Sequence, residues 1–77
     1  MRPPSSYSQA VAAEVRAELA RKGRSRQWLA DAIGMPLSTL NTRCRGTEPF
    51  RITELAAVSE ALSVDVRDFL PALDAVA

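Results

Sequence analysis

The sequence has no histidine and a single cysteine, Cys44. No internal disulfide can form, and the usual Cys/His ligand sets for structural zinc cannot be assembled, so no metal site is expected. Ser–His and Cys–His nucleophilic catalysis are excluded on the same ground. The nine acidic residues show no spacing that singles out a catalytic pair. Glycine is scarce, at three residues in 77, which favours helix. No apolar stretch approaches the ~18 residues that span a bilayer, so no membrane partner is expected. The opening MRPPSSYSQ carries no apolar run of the secretory type. With a lone cysteine, that points to a reducing, cytoplasmic setting. A domain of this size buries only about 60% of the surface its unfolded chain exposes. Little is then left for a deep pocket, and neither a small-molecule ligand, nor a cofactor, nor enzyme activity is expected.

Charge is present but unevenly spread. The net charge of +1 conceals a basic stretch from Arg21 to Arg51 and an acidic one from Ile52 onward. The first holds Arg21, Lys22, Arg24, Arg26, Arg43, Arg45 and Arg51 against only Asp31 and Glu48. The second holds five acids against Arg67 alone. One region is therefore suited to an anionic polymer.

The periodicity predicts an all-α chain. Residues 1–7 read as an N-terminal arm, because Pro3 and Pro4 resist helix. From about Ser8 the apolar residues Val11, Val15 and Leu19 recur at four-residue steps, and Gly23 stops that helix. Ser25 is a good N-cap for a short second helix through Trp28, Leu29, Ala32 and Ile33. Gly34 ends it, and Pro36 suits the first turn of a third helix that runs to about Arg45. Gly46 closes the third helix. Phe50 and Ile52 are expected to return to the core, followed by a fourth helix with Leu55, Val58, Ala61 and Leu62 on one face. Asp65 can cap a fifth, and Pro71 would kink or end it. The organisation expected is an arm (1–7), a compact five-helix domain (8–70) and a C-terminal tail (71–77).

The segment SRQWLADAIGMPLSTLNTRCRG, residues 25–46, is a short helix, a tight glycine turn and a second short helix, the helix-turn-helix unit. At about 100° per residue the third helix, about 37–45, has two faces. Leu40 and Cys44 point to the core, with Leu37 at the edge, either core or against a thymine methyl. Ser38, Asn41, Thr42 and Arg45 point outward, and no acid occurs from Pro36 to Thr47. Short hydrogen-bonding side chains suit base edges, and asparagine can pair bidentately with adenine. Arg24, Arg26, Arg43 and Arg45 can reach phosphates. Cys44 reads as a small buried apolar residue and Trp28 as a partly buried packing residue.

The stretch Gln27–Leu70, with WLADAIGMPLSTLNTRCRG and PFRITELAAVSEALSVDVRDFL, resembles the Cro/lambda-repressor-type helix-turn-helix family, also called XRE-like. The family pattern is matched by Leu29-Ala30, Gly34 and Gly46. The resemblance implies a lambda-repressor-like fold and base contacts from Leu37, Ser38, Asn41 and Thr42. The phosphate contacts expected are Arg24, Arg26, Gln27, Thr39, Arg43, Arg45 and Arg51. Family members often have glutamine where Arg26 stands, touching backbone or helping a base-reading residue; arginine there points to a phosphate role. Many carry an apolar residue at Arg43 and an acid at Cys44, so the apolar slot is shifted by one. Ser63 occupies a position where glycine is usual. Dimerisation through the C-terminal end, here Phe69, Leu70 and Leu73, is also implied, although that apolar set can equally cap the core.

The function expected is sequence-specific binding of a double-stranded DNA operator by a Cro-like transcriptional repressor of phage or prophage type. An antitoxin or excision-control protein would use the same fold. A helical protein-interaction module without DNA binding is the alternative of another class.

Overall fold

A computed structural model describes residues 5–70. Four α-helices follow one another: α1 (Ser5–Lys22), α2 (Arg26–Ile33), α3 (Leu37–Arg45) and α4 (Ile52–Leu62). A single 3-10 turn, Val66–Phe69, completes the set, and no strand occurs among the described residues. The architecture is all-α, as the periodicity predicts. The expected fifth helix is only this turn, because four residues are too few for the α pattern and a 3-10 turn is the usual form of so short a piece. Asp65 does cap it, accepting from the Arg67 backbone N–H.

The helix α1 begins at Ser5, about a turn earlier than the expected start at Ser8. Tyr7 stands four residues before Val11 and continues the same stripe, so residues 5–7 are helical rather than part of an arm. The rest of the expected arm, residues 1–4, and the expected tail, 71–77, lie outside the described residues.

Every helix contributes to one core. Val15 and Leu19 of α1, Leu29 and Ala30 of α2, Leu40 and Cys44 of α3, Leu55, Val58 and Leu62 of α4, and Phe69 are all buried. Ala30, 1% exposed, is a small side chain of α2 inside this close-packed core. Phe69 is 1% exposed and brings the 3-10 turn onto the core. It caps the core and is not free for a dimer interface. Phe50 is half-buried against the same core, but Ile52 is 69% exposed and does not return to it. Ile52 opens the first turn of α4, and the core face of that helix is taken by Leu55, Val58 and Leu62.

Two ends of α3 are fixed by different means. At its start, Gly34 adopts φ 69° and its backbone N–H donates to the Ala30 carbonyl, so α2 ends and the chain turns within three residues into α3. At its end, Gly46 adopts φ 79° and lies against Gln9 of α1. Arg16 of α1 donates to the Cys44 carbonyl, one of the terminal carbonyls that α3 cannot satisfy itself. Helix α1 thus acts as the backing on which α3 is aimed. Ser63 ends α4 with φ 58°, a left-handed conformation that glycine would adopt with less strain.

Candidate nucleic-acid interface

The outward face of α3 is laid out by the burial of the opposite one. Leu40 and Cys44 are fully buried, which fixes the helix rotation and turns Ser38, Asn41, Thr42 and Arg45 away from the core. Ser38 and Arg45 are exposed; Thr39, Asn41 and Thr42 are half-buried. Leu37 is half-buried against the core, between its two expected roles. Burial pushes the Cys44 thiol up, which suits the inert packing role read from its position.

Three contacts specify what this face presents. Thr42 Oγ1 donates to the Ser38 carbonyl at 3.0 Å. Its hydroxyl proton is thereby committed to the helix, and the oxygen keeps its lone pairs as an acceptor. Arg26, the first residue of α2, donates through Nη1 to Asn41 Oδ1 at 3.1 Å. Sequence reasoning assigned Arg26 a phosphate role; the structure in addition joins one of its N–H groups to a base-reading candidate. The two residues are 15 apart in sequence, so no helical spacing announces the pair.

Arg43 is the third case. The apolar slot shifted to Cys44 leaves Arg43 turned toward α4, where Nε donates to Glu54 Oε1 at 3.0 Å. The Arg43 and Glu54 side chains are 15% and 18% exposed. Arg43 is thus held inside the fold's own ion pair rather than offered to solvent. Glu54 also accepts from the Arg51 backbone N–H at 2.8 Å, at the start of α4. One carboxylate therefore ties the end of α3 to the beginning of α4. Its part was missed in the sequence, where Glu54 is merely an acid three residues into a helix.

The remaining cations are differently placed. Arg24 is exposed and lies over the Trp28 ring, 4.6 Å from its centroid, a cation–π contact, and Trp28 itself is half-buried against the core, the packing role read from the sequence. Arg45 and Arg51 have exposed side chains. Gln27 is exposed and donates to Asp31 at 3.0 Å. Ser25 Oγ accepts from the Trp28 backbone N–H at 3.0 Å, the N-cap expected for α2. Among the described residues no group of His, Cys, Asp and Glu could hold a metal ion, and no helix is long and apolar enough to cross a membrane.

The Glu54 bridge makes stability depend on pH. Burial pushes the Glu54 carboxyl up, but the hydrogen bonds from Arg43 and the Arg51 N–H, with the charge of both arginines, hold it below the ordinary carboxylate range. A carboxylate favoured in the folded chain stabilises fully above its unfolded pKa, near 4.5. That stabilisation is lost as pH falls through the lower folded value. Thermal midpoints should therefore decline below about pH 4.5, and a Glu54→Gln variant should lose less over the same range. Asp65, pulled to about 2 by hydrogen bonds from the Arg67 side chain and backbone N–H, adds a separate loss at lower pH that the variant retains. Equal declines in the two proteins would remove Glu54 from the account.

No protein-family model matches the chain, and no curated protein matches it. Among solved structures, the clp gene regulator ClgR from C. glutamicum superposes with a TM-score of 0.80 and 30% sequence identity. The match covers 90% of this chain and 87% of that one. An α2–glycine turn–α3 unit backed by α1 and α4, and a relative this similar over nearly all of both chains, make the chain a member of the helix-turn-helix DNA-binding family of gene regulators.

Proposed function

We propose that the protein is a sequence-specific regulator of transcription that binds double-stranded DNA with the outward face of α3 in the major groove. The observation that carries this reading is the face itself. Ser38, Asn41 and Thr42 stand together on one side of α3, none is packed into the core, and an exposed Arg45 flanks them. No acid interrupts the sequence from Pro36 to Thr47, so phosphates meet no repulsion along it. ClgR is a gene regulator, and kinship with it favours the same kind of role here over catalysis. Arg24, Arg45 and Arg51 are the phosphate contacts best placed by exposure, while Gln27 and Thr39 supplement them at the helix starts. A Cro-like repressor, acting in the cytoplasm by occupying an operator, is the simplest use of such a domain.

If two copies bind together, the site is a rough palindrome with half-sites about 34 Å apart. Of the residues expected at such an interface, Phe69 is in the core, Leu73 lies outside the described residues, and Leu70 is half-buried beside an open apolar groove lined by Tyr7, Val11, Phe50 and Ile52.

A mobility-shift titration against random and selected duplexes tests the reading. Asn41→Ala should erode the preference among sequences, whereas Arg45→Ala should weaken all of them by a similar factor. Binding that is weak, blind to sequence and indifferent to Asn41→Ala would instead mark a helical protein-interaction module.

A further inference from the structure

Burial along α1 fades toward its start. The apolar stripe of the helix runs through Tyr7, Val11, Val15 and Leu19 at four-residue steps. Val15 and Leu19 are buried, Val11 is half-buried and Tyr7 is exposed. The rest of the fold thus covers the later part of the stripe and leaves its first turns beside an open groove of about 250 Å³. Val11, Phe50 and Leu55 line the groove together with Tyr7, and Leu70 forms part of its wall. An apolar cavity of about 150 Å³ takes up a benzene molecule. This groove therefore has room for one or two aliphatic side chains.

Leu70 is also the last described residue, so the chain leaves the fold at the wall of the groove. Residues 71–77, PALDAVA, follow it and carry two more aliphatic side chains, Leu73 and Val76. At about 3.3–3.6 Å per residue, Leu73 stays within ~11 Å of Leu70. Pro71 has no N–H with which to extend the hydrogen bonding of the 3-10 turn. We propose that residues 71–77 fold back along α1 as a strap, with Leu73 seated against Tyr7, Val11 and Phe50 and Val76 following it. A short tether gives such a segment an effective concentration near the millimolar range. A second copy of the chain has no such advantage, and a stable interface needs about 800 Å² from each partner. Among the described residues, Tyr7 and Ile52 are the large hydrophobics left exposed, too few to build one. Ile52 stays at the outer edge of the groove. The strap holds the first turns of α1, the helix whose Gln9 lies against Gly46 and whose Arg16 donates to the Cys44 carbonyl. It thereby steadies the support behind α3.

Nuclear Overhauser spectra of the full chain, with leucine and valine methyl groups labelled, decide the matter. Tyr7 is the only tyrosine, so contacts to its ring are unambiguous. The methyl groups of Leu73 and Val76 should contact that ring, and the contacts should survive dilution. Leu73→Asp should abolish them and lower the thermal midpoint by about 4–8 °C. Leu73→Ala should show the same losses in milder form. The core residues are untouched in both variants, and far-ultraviolet circular dichroism matching that of the unaltered chain at low temperature would show that they fold. Folded, unaltered protein in which neither Leu73 nor Val76 contacts the Tyr7 ring overturns the assignment. Contacts that appear only between labelled and unlabelled chains in a mixed sample overturn it in favour of a second copy. An unchanged midpoint in Leu73→Asp overturns it too, since a strap lost without cost holds nothing. None of these readouts depends on DNA, so the strap stands or falls apart from the DNA-binding reading.

Discussion

Phe69→Ala should cost about 3–5 kcal/mol, the range for truncating a buried phenylalanine. Small domains are stable by about 5–15 kcal/mol in total, so this one substitution removes a large share. The side chain is 1% exposed and is the largest fully buried one among the described residues. It belongs to a four-residue turn whose other core-facing residues, Val66 and Leu70, are only partly buried, so the lost ring leaves a void at the centre of the turn's packing. Urea unfolding followed by circular dichroism reads the loss as a lower midpoint at similar slope. Ile52→Ala is the matched control. Ile52 is also a large apolar residue near the same end of the fold, yet it is 69% exposed, and its truncation should stay within about 0.5 kcal/mol. Similar costs for the two substitutions would contradict the assignment of one to the core and the other to the surface.

Gly46→Ala should be the most damaging of the glycine substitutions. A left-handed conformation costs an ordinary residue about 1–2 kcal/mol, and Gly34→Ala and Gly46→Ala share that strain, with φ of 69° and 79°. Only Gly46 adds a steric conflict. A Cβ there would lie 2.9 Å from Gln9 Cγ and 3.0 Å from Gln9 Cα, while at Gly34 it would meet nothing within 4 Å. The Cγ atom can swing aside, but the Cα belongs to the backbone of α1 and cannot. Helix α1 must therefore shift away from the end of α3. For a domain this small, each 1 kcal/mol lowers the thermal midpoint by about 4–8 °C. Calorimetry should show Gly34→Ala falling by about one such step or two, and Gly46→Ala by clearly more. Equal falls would mean that α1 and α3 are not closely apposed there. Because α1 backs α3, Gly46→Ala should also weaken DNA binding, whereas a substitution acting on stability alone would not at a temperature where the protein remains folded.

The helix-turn-helix unit was legible in the sequence because its determinants are local. Ser25 and Trp28 are three residues apart, and Gly34 and Gly46 each end a helix by their own backbone conformation. The inward turn of Leu40 and Cys44 follows from helical period alone, and with it the outward turn of Ser38, Asn41 and Thr42. The contacts that refine the interface were not legible, because they join different helices. Arg43 and Glu54 are 11 residues apart, and Arg26 and Asn41 are 15 apart; neither spacing belongs to any one element. The same limit explains Phe69 and Ile52. Both are large apolar residues beside a helix end, and only the packing of α4 and the 3-10 turn onto the other helices decides which one is covered.

The Arg43–Glu54 pair has a consequence for how tightly a polyanion can hold this domain. Double-stranded DNA carries condensed small cations, and each side chain that replaces one at a phosphate liberates it, with a gain set by the salt concentration. Arg43 carries its own resident counterion in Glu54 and brings no uncompensated charge to the exchange. The number of ions set free on docking is then smaller than a count of arginines near α3 suggests. The pair holds the two helices in register; under the proposed reading, the entropic pull toward nucleic acid would fall to the exposed Arg24, Arg45 and Arg51.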